Sequence, residues 1–528
     1  MLYIMGKYRS VLYCDRRAYS LCVCPPPPSP VITTESVYAF GNYGGGSLVI
    51  YDSSRQATLP PPLPAPTGFE NSLLIKYDAL GNAMWASYTT TTTGSNSTAS
   101  ATAITIDTLK NSYVAGYYTV GSLVIYNSSR QTTLSSLPAP TGSQSNSSLI
   151  KYDANGNALW ATYTTTTTGS NSNAVATAIT SDTLNNIYVA GTYSVGSLTI
   201  YNSSRQTTLP PPLPAPTGSQ NSSLIKYDAL GNALWATYTT QGYSDTRGIT
   251  SDTLNNIYVA GIYFGGSLVI YNSSRQTTLS PSPLPAPTGS QNSLLIKYDA
   301  LGNALWATYT KAEFDTSSAN AITSDTLNNI YIAGYYTVGS LTIYNSSRQE
   351  TLSPLPAPTG IQNSSLIKYD AIGNALWATY TKTEFSNSSA NAITSDTLNN
   401  IYVVGRYNGG SLAIYDTTNR ENPIGIFLPA PTGSQYNSSL IKYDANGNAM
   451  WAAYITGVGT TYSVTAFTSD TLNNIYIVGT YSGGSLAIYN STGQATLSPL
   501  PAPTGARNTS LIKYNSIGIA QWATYTAR

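Results

Sequence analysis

The stretch that decides the fold is residues 176–240, ATAITSDTLNNIYVAGTYSVGSLTIYNSSRQTTLPPPLPAPTGSQNSSLIKYDALGNALWATYTT. AITSD, IYVAGTY, SLTIY, SLIKYD and ALWATYT are rich in β-branched and aromatic residues, and sequences rich in Gly, Pro, Asn or Ser separate them. TLNN and YDALGN favour tight connections, and Gly231 with Asn232 marks a hairpin. No segment of the unit places apolar residues at helical spacing over about 11 positions. The stretch therefore predicts short strands joined by turns, with essentially no helix.

The same pattern recurs along the chain, and its tryptophans count the copies. The seven tryptophans are separated by 71 to 75 residues. They are Trp85, Trp160, Trp235, Trp306, Trp377, Trp451 and Trp522. One tryptophan per copy indicates seven repeats, and a repeat of this size is typical of stacked or circular repeat architectures.

Four core strands per repeat are typical of a β-propeller blade. We therefore predict an all-β protein with a single seven-bladed β-propeller, in which each tryptophan packs between neighbouring blades. AITSD is expected to be innermost, followed by IYVAG, SLIKYD and ALWATYT, while SLTIY and the proline-rich loop form an added strand and loop at the rim. The propeller is expected over residues 31–528. Its predicted blades cover approximately residues 31–90, 101–165, 176–240, 246–311, 319–382, 390–456 and 464–528.

Residues 1–30 precede the first repeat and are predicted to be a leader that is poorly ordered or serves targeting. The leader contains all three cysteines, Cys14, Cys22 and Cys24, and without a fourth cysteine or a histidine they do not complete a tetrahedral metal site. The order of the repeats suggests no exchange of strands between the first and last blades. Closure of the ring is therefore expected to rest on blade packing, or on a strand from SVLYC at residues 10–14.

The units GNALWATYT, NNIYVAG, GSLTIYN and SLIKYD, in a fixed cyclic order over residues 31–528, resemble the β-propeller repeats called SBBP. That family carries an Asp-x-x-Gly-Asn-x-Tyr-Val-x-Gly turn, which Asp182, Asn186, Tyr188 and Gly191 match. Asn stands in place of the turn glycine, or Lys110 in one unit. The resemblance implies the propeller fold, an occurrence in large secreted or surface proteins of bacteria and in some large DNA viruses, and no assigned activity.

The composition excludes several classes of function. Charged residues make up 9% of the chain and the net charge is +1, so neither nucleic acid nor an anionic membrane is an expected partner. No run of about 18 apolar residues occurs, so no transmembrane segment is expected. The chain contains no histidine, which excludes a hydrolase of the Ser-His-Asp type. Abundant Asn, Ser and Thr hint at an extracellular, cell-surface or virion-associated location.

Two kinds of charged residue recur once per repeat. One is the carboxylate that ends the AITSD segment, interpreted as a turn cap rather than a cation site: Asp107, Asp182, Asp252, Asp325, Asp396 and Asp470. The other is the lysine of SLIKYD, interpreted as a salt-bridge partner of the neighbouring blade: Lys76, Lys151, Lys226, Lys297, Lys368, Lys442 and Lys513. No metal or cofactor is predicted.

The loops contain two further motifs. LPAPTG recurs in every repeat and favours polyproline II, as an extended surface loop or as a ligand of aromatic grooves. Asn-x-Ser/Thr sequons would accept glycans in a eukaryotic secretory pathway. They are Asn127, Asn202, Asn272, Asn345 and Asn490 after the added strand, and Asn146, Asn221, Asn363, Asn437 and Asn508 before SLIKYD.

Three functions remain open. The first is a non-enzymatic repeat scaffold whose rim loops contact proteins or a surface, with an expected location on a cell or virion surface. The second is a lectin-like propeller with one weak glycan site per blade, built on the tyrosines that end the added strands, Tyr126, Tyr201, Tyr271 and Tyr344. The third is an enzyme at the channel mouth, for which Glu313, Asp315 and Glu384 are the acids that differ from the repeat; because the repeat is so uniform, no enzyme is predicted.

Overall fold

The computed structural model describes residues 36–528, apart from residues 93, 95, 142, 168–171, 278, 280–281, 433–435, 458 and 460. The predicted leader at residues 1–30 lies outside the described residues. Every regular element within the described part is a β-strand, so the prediction of an all-β chain is confirmed. The strands fall into seven repeat units, each containing one tryptophan.

Each unit has, in chain order, an inner strand, a second strand, a short added strand, a third strand and an outer strand. Units 1, 3 and 6 have a further strand after the added one. The described part of unit 1 begins at its second strand. Units 1 and 2 contain β1 (Val37–Tyr43), β2 (Leu48–Tyr51), β3 (Ala57–Leu63), β4 (Asn71–Tyr77), β5 (Ala83–Thr91), and β6 (Ala99–Ile106), β7 (Ser112–Thr119), β8 (Leu123–Tyr126), β9 (Ser143–Tyr152), β10 (Ala158–Thr166). Units 3 and 4 contain β11 (Ser172–Ser181), β12 (Ile187–Ser194), β13 (Leu198–Tyr201), β14 (Thr207–Leu213), β15 (Asn221–Tyr227), β16 (Ala233–Thr240), and β17 (Tyr243–Ser251), β18 (Ile257–Phe264), β19 (Val269–Ile270), β20 (Asn292–Tyr298), β21 (Ala304–Ala312). Unit 5 contains β22 (Ser317–Ser324), β23 (Ile330–Thr337), β24 (Leu341–Ile343), β25 (Gln362–Tyr369) and β26 (Ala375–Thr383). Unit 6 contains β27 (Ser388–Ser395), β28 (Ile401–Tyr407), β29 (Leu412–Ile414), β30 (Phe427–Leu428), β31 (Asn437–Tyr443) and β32 (Ala449–Thr456). Unit 7 contains β33 (Thr461–Ser469), β34 (Ile475–Ser482), β35 (Ala487–Ile488), β36 (Asn508–Tyr514) and β37 (Ala520–Ala527).

Within a unit the four core strands form an antiparallel sheet in the predicted order. In unit 4 the order is β17, β18, β20 and β21. Tyr258 of the second strand pairs with Lys297 of the third strand, and Lys297 pairs with Trp306 of the outer strand. This register places a tyrosine, a lysine and a tryptophan side by side on one face of the sheet, because directly paired residues share a face.

The added strand does not belong to the sheet of its own unit, which corrects the predicted blade layout. β24 of unit 5 pairs with β21, the outer strand of unit 4, and β29 of unit 6 pairs with β26 of unit 5. An outer strand left unpaired would expose a row of backbone donors and acceptors, and the added strand of the next unit satisfies them. The predicted boundaries place SLTIY in its own blade, whereas it completes the preceding one.

The same exchange joins the last unit to the first. β2 of unit 1 pairs with β37 of unit 7, with Val49 opposite Ala527 and Ile50 opposite Thr526. The expectation that the repeat order allows no exchange of strands was therefore wrong. The cause is the position of the added strand, which precedes the third strand in the chain but pairs outside its own unit.

Neighbouring units also meet along their inner strands. Ser251 donates its hydroxyl to the carbonyl oxygen of Ser181 at 2.9 Å, and Ser324 donates to the carbonyl oxygen of Ser251 at 2.8 Å. β1 of unit 1 lies against both β6 of unit 2 and β33 of unit 7. The described units thus follow one another in a cyclic order.

The apolar core lies between adjacent sheets rather than inside any one unit. One cluster combines Tyr188 and Leu224 of unit 3 with Leu294 and Tyr309 of unit 4. Another combines the second strand of unit 1 with Tyr476 and other residues of unit 7. Because each sheet buries its faces against its neighbours, a unit gains its hydrophobic stabilisation only when units flank it.

Candidate functional site

The tryptophan of each unit contacts a turn of the following unit. Trp160 Nε1 donates to the carbonyl oxygen of Ala229 at 3.2 Å, and its indole ring lies beside Gly231 in the same turn. Gly231 has φ +83°, and a Cβ at this position would lie 3.0 Å from the indole. Trp160 therefore lies at the boundary between units 2 and 3, and the turn glycine makes room for it.

The lysine of the third strand binds the same carbonyl as the tryptophan. Lys151 Nζ donates to the Ala229 carbonyl oxygen at 2.9 Å and lies 5.0 Å from the centroid of the Tyr113 ring. Burial lowers the pKa of Lys151, whereas the carboxylates of Asp107 and Asp228 raise it. The ammonium group is thus held by a carbonyl, an aromatic face and the field of two carboxylates.

This arrangement recurs in all seven units, including from the last to the first. The carbonyl oxygens that accept from both lysine and tryptophan belong to Ala154, Ala229, Ala300, Ala371, Ala445, Ser516 and Ala79. The interpretation of these lysines as salt-bridge partners was wrong in detail, since the recurring partner is a backbone carbonyl. Lys442 also forms a salt bridge, 4.0 Å from Asp396 of its own unit.

The repeated aspartate caps the turn between the inner and second strands, as predicted. Asp182 Oδ1 accepts the N–H groups of Leu184 and Asn186, and Oδ2 accepts from the Asn186 amide and the Tyr188 hydroxyl. Asn185 adopts φ +63°, which explains how asparagine replaces the glycine of the SBBP pattern. Both carboxylate oxygens are occupied by this turn. Within the described residues, no group of three or more His, Cys, Asp or Glu side chains is placed to hold a metal.

The tyrosines proposed as rim sites stack on tyrosines of the preceding unit. Tyr201 lies 4.3 Å from Tyr163, centroid to centroid, with 12° between the ring planes. The other three candidates form the same kind of pair and, like Tyr201, are half-buried. The pairs are Tyr88 with Tyr126, Tyr238 with Tyr271, and Tyr309 with Tyr344. One face of each candidate ring is thus occupied within the protein.

The proline-rich connections are attached to the sheets at two points. Leu213 of LPAPTG is buried and pairs with Leu198 of the added strand, and the Tyr193 hydroxyl donates to the Pro214 carbonyl oxygen at 2.9 Å. Arg275 of the next unit donates to the Pro212 carbonyl oxygen at 3.2 Å. The exposed prolines are therefore presented on an anchored segment.

Sequence analysis did not identify the role of this arginine, although it recurs in the sequence NSSRQ. Arg130 of unit 2 donates to the Pro62 carbonyl oxygen of unit 1 at 2.9 Å. Arg55 of unit 1 donates in the same way to Ser498 of unit 7. The recurrence of an arginine after six of the seven added strands was the available signal, and its partner, a loop of the preceding unit, follows only from the fold.

The ten sequons named above lie in positions that do not present a free amide to solvent. Asn221 is completely buried, and its Nδ2 donates to the Tyr193 hydroxyl at 3.1 Å. Asn127 is also buried, and its Oδ1 accepts the Gln131 N–H. Nine of the ten side chains are buried, and Asn202 is half-buried. In this fold these ten asparagines serve as internal hydrogen-bonding residues, whereas Asn96 of the further sequon Asn96-Ser97-Thr98 is exposed.

The three acids considered for catalysis occupy the connections between outer and inner strands. Glu313 and Glu384 are exposed. Asp315 accepts hydroxyl hydrogen bonds from Ser290, Thr316 and Thr337, and the bond from Ser290 is the main cause of its lowered pKa. A carboxylate held ionised in this way is poorly suited to act as a general acid at neutral pH.

No protein-family profile matches the chain. An uncharacterized WD repeat-containing protein of Acanthamoeba polyphaga mimivirus is 30% identical over 399 residues, which cover 66% of this chain. The chain spans 28% of the length of that relative. Together with the all-β repeat structure, this similarity indicates a repeat protein of the β-propeller type.

Two solved structures were also found to be similar. A Dyadobacter fermentans protein of unknown function has a TM-score of 0.27 and 10% identity, with coverage of 66% of this chain and 93% of that protein. The rhamnogalacturonan lyase YesW has a TM-score of 0.26 and 14% identity, with coverage of 86% and 87%. Neither score is high enough to assign a fold or an activity. Among the described residues, no helix has the length and apolar character to cross a membrane.

Proposed function

We propose that residues 31–528 form a single seven-bladed β-propeller of the SBBP kind, and that it is a non-enzymatic scaffold whose rim loops bind other proteins. Each proposed blade consists of the four core strands of one unit and the added strand of the next. The seven units, their shared strand order and the pairing of β2 with β37 support this architecture.

One observation carries the functional part of the proposal. The recurring side chains that could take part in chemistry or binding are used in contacts within and between units: lysine and tryptophan in all seven units, and the capping aspartate in units 2 to 7. A site for chemistry requires differently placed acids, bases and ligands, whereas these contacts repeat the same arrangement around the ring. The accessible, variable parts of each unit are the loops.

The anchoring of the rim loops favours binding. A loop that is already held loses little conformational freedom when a partner binds, so more of the contact energy appears as affinity. In unit 3, Leu213, Tyr193 and the arginine of the next unit hold the loop before any partner arrives. Similar loops around one ring would also allow weak single contacts to add up in a multivalent partner.

We extend the proposal to location: the scaffold is displayed on a cell or virion surface. A charged fraction of 9% with abundant uncharged polar residues supports this assignment. Immunogold labelling of the intact source cell or particle tests it, because gold confined to the interior would contradict surface display.

A selection experiment tests protein binding against the lectin alternative. The immobilised full chain is exposed to a displayed random-peptide library and, separately, to a glycan array. We expect the selected peptides to share a common sequence. Their affinity for the protein should fall at least tenfold when exposed prolines of the connections, such as Pro214, are changed to Ser in several units. Matched substitutions of exposed leucines in the outer strands, such as Leu234→Ser, serve as the control and leave affinity unchanged.

The glycan array distinguishes the alternative function. Saturable glycan binding that Tyr201→Ala weakens, with no peptide ligand and an unchanged circular dichroism spectrum, would replace the protein scaffold by a lectin. Tyr163→Phe, which keeps an aromatic ring beneath Tyr201, controls for loss of the stacked pair.

A further inference from the structure

Two sets of turns lie at the same end of the sheets. In unit 3, the inner strand ends at Ser181 where it pairs with Ile187, and Ile187 pairs with Tyr227 at the end of the third strand. Tyr227 in turn pairs with Ala233, the first residue of the outer strand. The DTLNN turn and the YDALGN turn therefore share one face of the ring, which we name the turn face.

Large aliphatic side chains project from both sets of turns. In the DTLNN turns they are Leu109, Leu184, Leu254, Leu327, Leu398 and Leu472, and in the YDALGN turns they are Leu80, Leu230, Leu301, Ile372 and Ile517. These eleven side chains are 58% to 71% exposed. The turns do not need an aliphatic residue here, because only the backbone N–H of Leu184 bonds to Asp182. Asn155 and Asn446 take the equivalent place in two of the YDALGN-type turns.

The aliphatic side chains lie on turns that contact one another around the ring. Thr183 donates its N–H and its hydroxyl to Asn255 Oδ1 in the next DTLNN turn, at 3.1 and 2.7 Å. Trp160 and Lys151 of unit 2 bind the YDALGN turn of unit 3, and their counterparts bind the other turns of this kind. The aliphatic groups are therefore carried by turns that are linked to one another through hydrogen bonds in the described units.

The exposed apolar area is large enough for a stable interface. At roughly 100 Å² for each mostly exposed aliphatic side chain, the eleven residues present on the order of 1,000 Å². The largest apolar patch of a typical monomer is about 300–600 Å², and a standard interface takes about 800 Å² from each partner. Isolated exposed leucines are ordinary, but this number on one face is not.

The charge on the turn face favours a second copy over a lipid surface. Five of the six aspartates of the DTLNN turns and five of the seven lysines beneath the turns are buried, and Lys110 is the exposed cation within these turns of the described chain. Asp470 and the aspartates of the YDALGN turns are half-buried, and the latter accept N–H groups of their own turns, as Asp228 does. Faces that attach to membranes combine apolar groups with Lys, Arg and interfacial aromatic residues. The eleven exposed groups here are Leu and Ile only, so the face offers aliphatic groups to a second copy and no cluster of cations to an anionic lipid surface.

We propose that the turn face docks on the same face of a second copy of this chain. A two-fold axis in the plane of the face brings identical turns together, and such an isologous contact closes at two subunits. The rim loops then remain accessible on both copies.

Sedimentation-equilibrium ultracentrifugation of the full chain tests this dimer. We expect a species of twice the 56.0 kDa chain mass in the micromolar range. The triple variant Leu184→Ser, Leu254→Ser, Leu327→Ser is expected to raise the dimer dissociation constant at least tenfold. Because all three side chains are exposed, an unchanged melting temperature at low protein concentration confirms that the variant folds.

The matched control changes exposed apolar residues at the opposite end of the sheets. Phe69→Ser, Ile361→Ser and Phe385→Ser alter side chains that are 67%, 60% and 70% exposed, and the dimer should persist. A monomeric wild-type chain up to 100-fold above the micromolar range overturns the proposal, and so does equal weakening by the control. Cosedimentation of a monomeric chain with phosphatidylcholine and phosphatidylserine vesicles, lost in the leucine variant, overturns it in favour of a lipid surface.

Discussion

The contact between the last unit and the first gives the sharpest test of the ring. Trp522 Nε1 donates to the Ala79 carbonyl oxygen at 3.2 Å, and the indole lies beside Gly81. Trp522→Phe removes this hydrogen bond and reduces the apolar contact with the turn. If unit 7 packs on unit 1 as the other units pack on one another, this substitution destabilises the whole ring.

The magnitude follows from the contacts that are lost. One net hydrogen bond contributes about 0.5–1.5 kcal/mol, and the smaller phenyl ring loses roughly 1 kcal/mol of packing, for a total of about 2 kcal/mol. Lys513 Nζ, 3.3 Å from the same carbonyl oxygen, keeps that oxygen from being left unpaired. With an unfolding entropy of about 2.1 cal/mol/K per residue, about 490 residues that unfold together give ~1 kcal/mol/K, so Tm falls by about 2 °C.

Differential scanning calorimetry measures this shift in four proteins: the wild type, Trp522→Phe, Trp235→Phe and Gln521→Ala. Trp235 makes the same contact in the middle of the chain, with its Nε1 3.1 Å from the Ala300 carbonyl oxygen, so its variant should show an equal shift. Gln521 is exposed beside Trp522 and should change Tm by less than about 0.5 °C. If Trp235→Phe lowers Tm while Trp522→Phe does not, the first and last units do not pack together and the closed ring is refuted.

Three further predictions concern local features. Gly231→Ala should lower the free energy of unfolding by about 1–2 kcal/mol because of the strain at φ +83°. Gly41→Ala, with no atom within 4 Å of the added Cβ, should lower it far less. Urea unfolding compares the two variants. Complete burial raises the pKa of Tyr227, and other tyrosines behave likewise, so their stabilisation is present below about pH 10 and is lost above it, when tyrosines of the unfolded chain ionise first. The buried lysines with lowered pKa act in the opposite sense but are fewer. The urea concentration at the unfolding midpoint should therefore decrease as the pH rises from about 9 to about 11, and a midpoint that stays constant or increases would contradict this prediction. Arg275→Gln should speed proteolysis within the unit 3 loop that contains Pro212, as mass spectrometry of early fragments will show, and cleavage at the wild-type rate would argue against anchoring by the arginine.

Local sequence was sufficient for the features that local chemistry determines. Alternating apolar residues gave the four core strands and their order, and the Asp of DTLNN is the turn cap that its spacing predicted. Both follow because consecutive antiparallel strands joined by tight turns must pair with their neighbours in the chain. The rim tyrosines and the protein-binding role stay predictions.

Long-range choices were beyond the sequence argument. Nothing in SLTIY distinguishes pairing within its own unit from pairing with the outer strand of the preceding unit, because both offer the same backbone groups. The lysine of the third strand was expected to meet a carboxylate, but in the fold it reaches a carbonyl and a tyrosine ring. The sequons illustrate the same limit, since their burial depends on tyrosine hydroxyls that arrive from another strand.

The contacts between units have a direction, and this explains why closure matters. Each unit gives its tryptophan and lysine to the turn of the next unit and its added strand to the preceding unit. Units 1 to 4 and unit 6 also give an arginine to the preceding unit. In an open row of such units, one end would leave an outer strand unpaired and the other would leave a turn carbonyl without its two donors. An unpaired outer strand invites association with other chains, and a buried acceptor without a donor costs about 1–3 kcal/mol. The contacts of Trp522, Lys513 and β2 remove both ends at once, so the ring is the arrangement of the described units in which every repeated contact finds its partner.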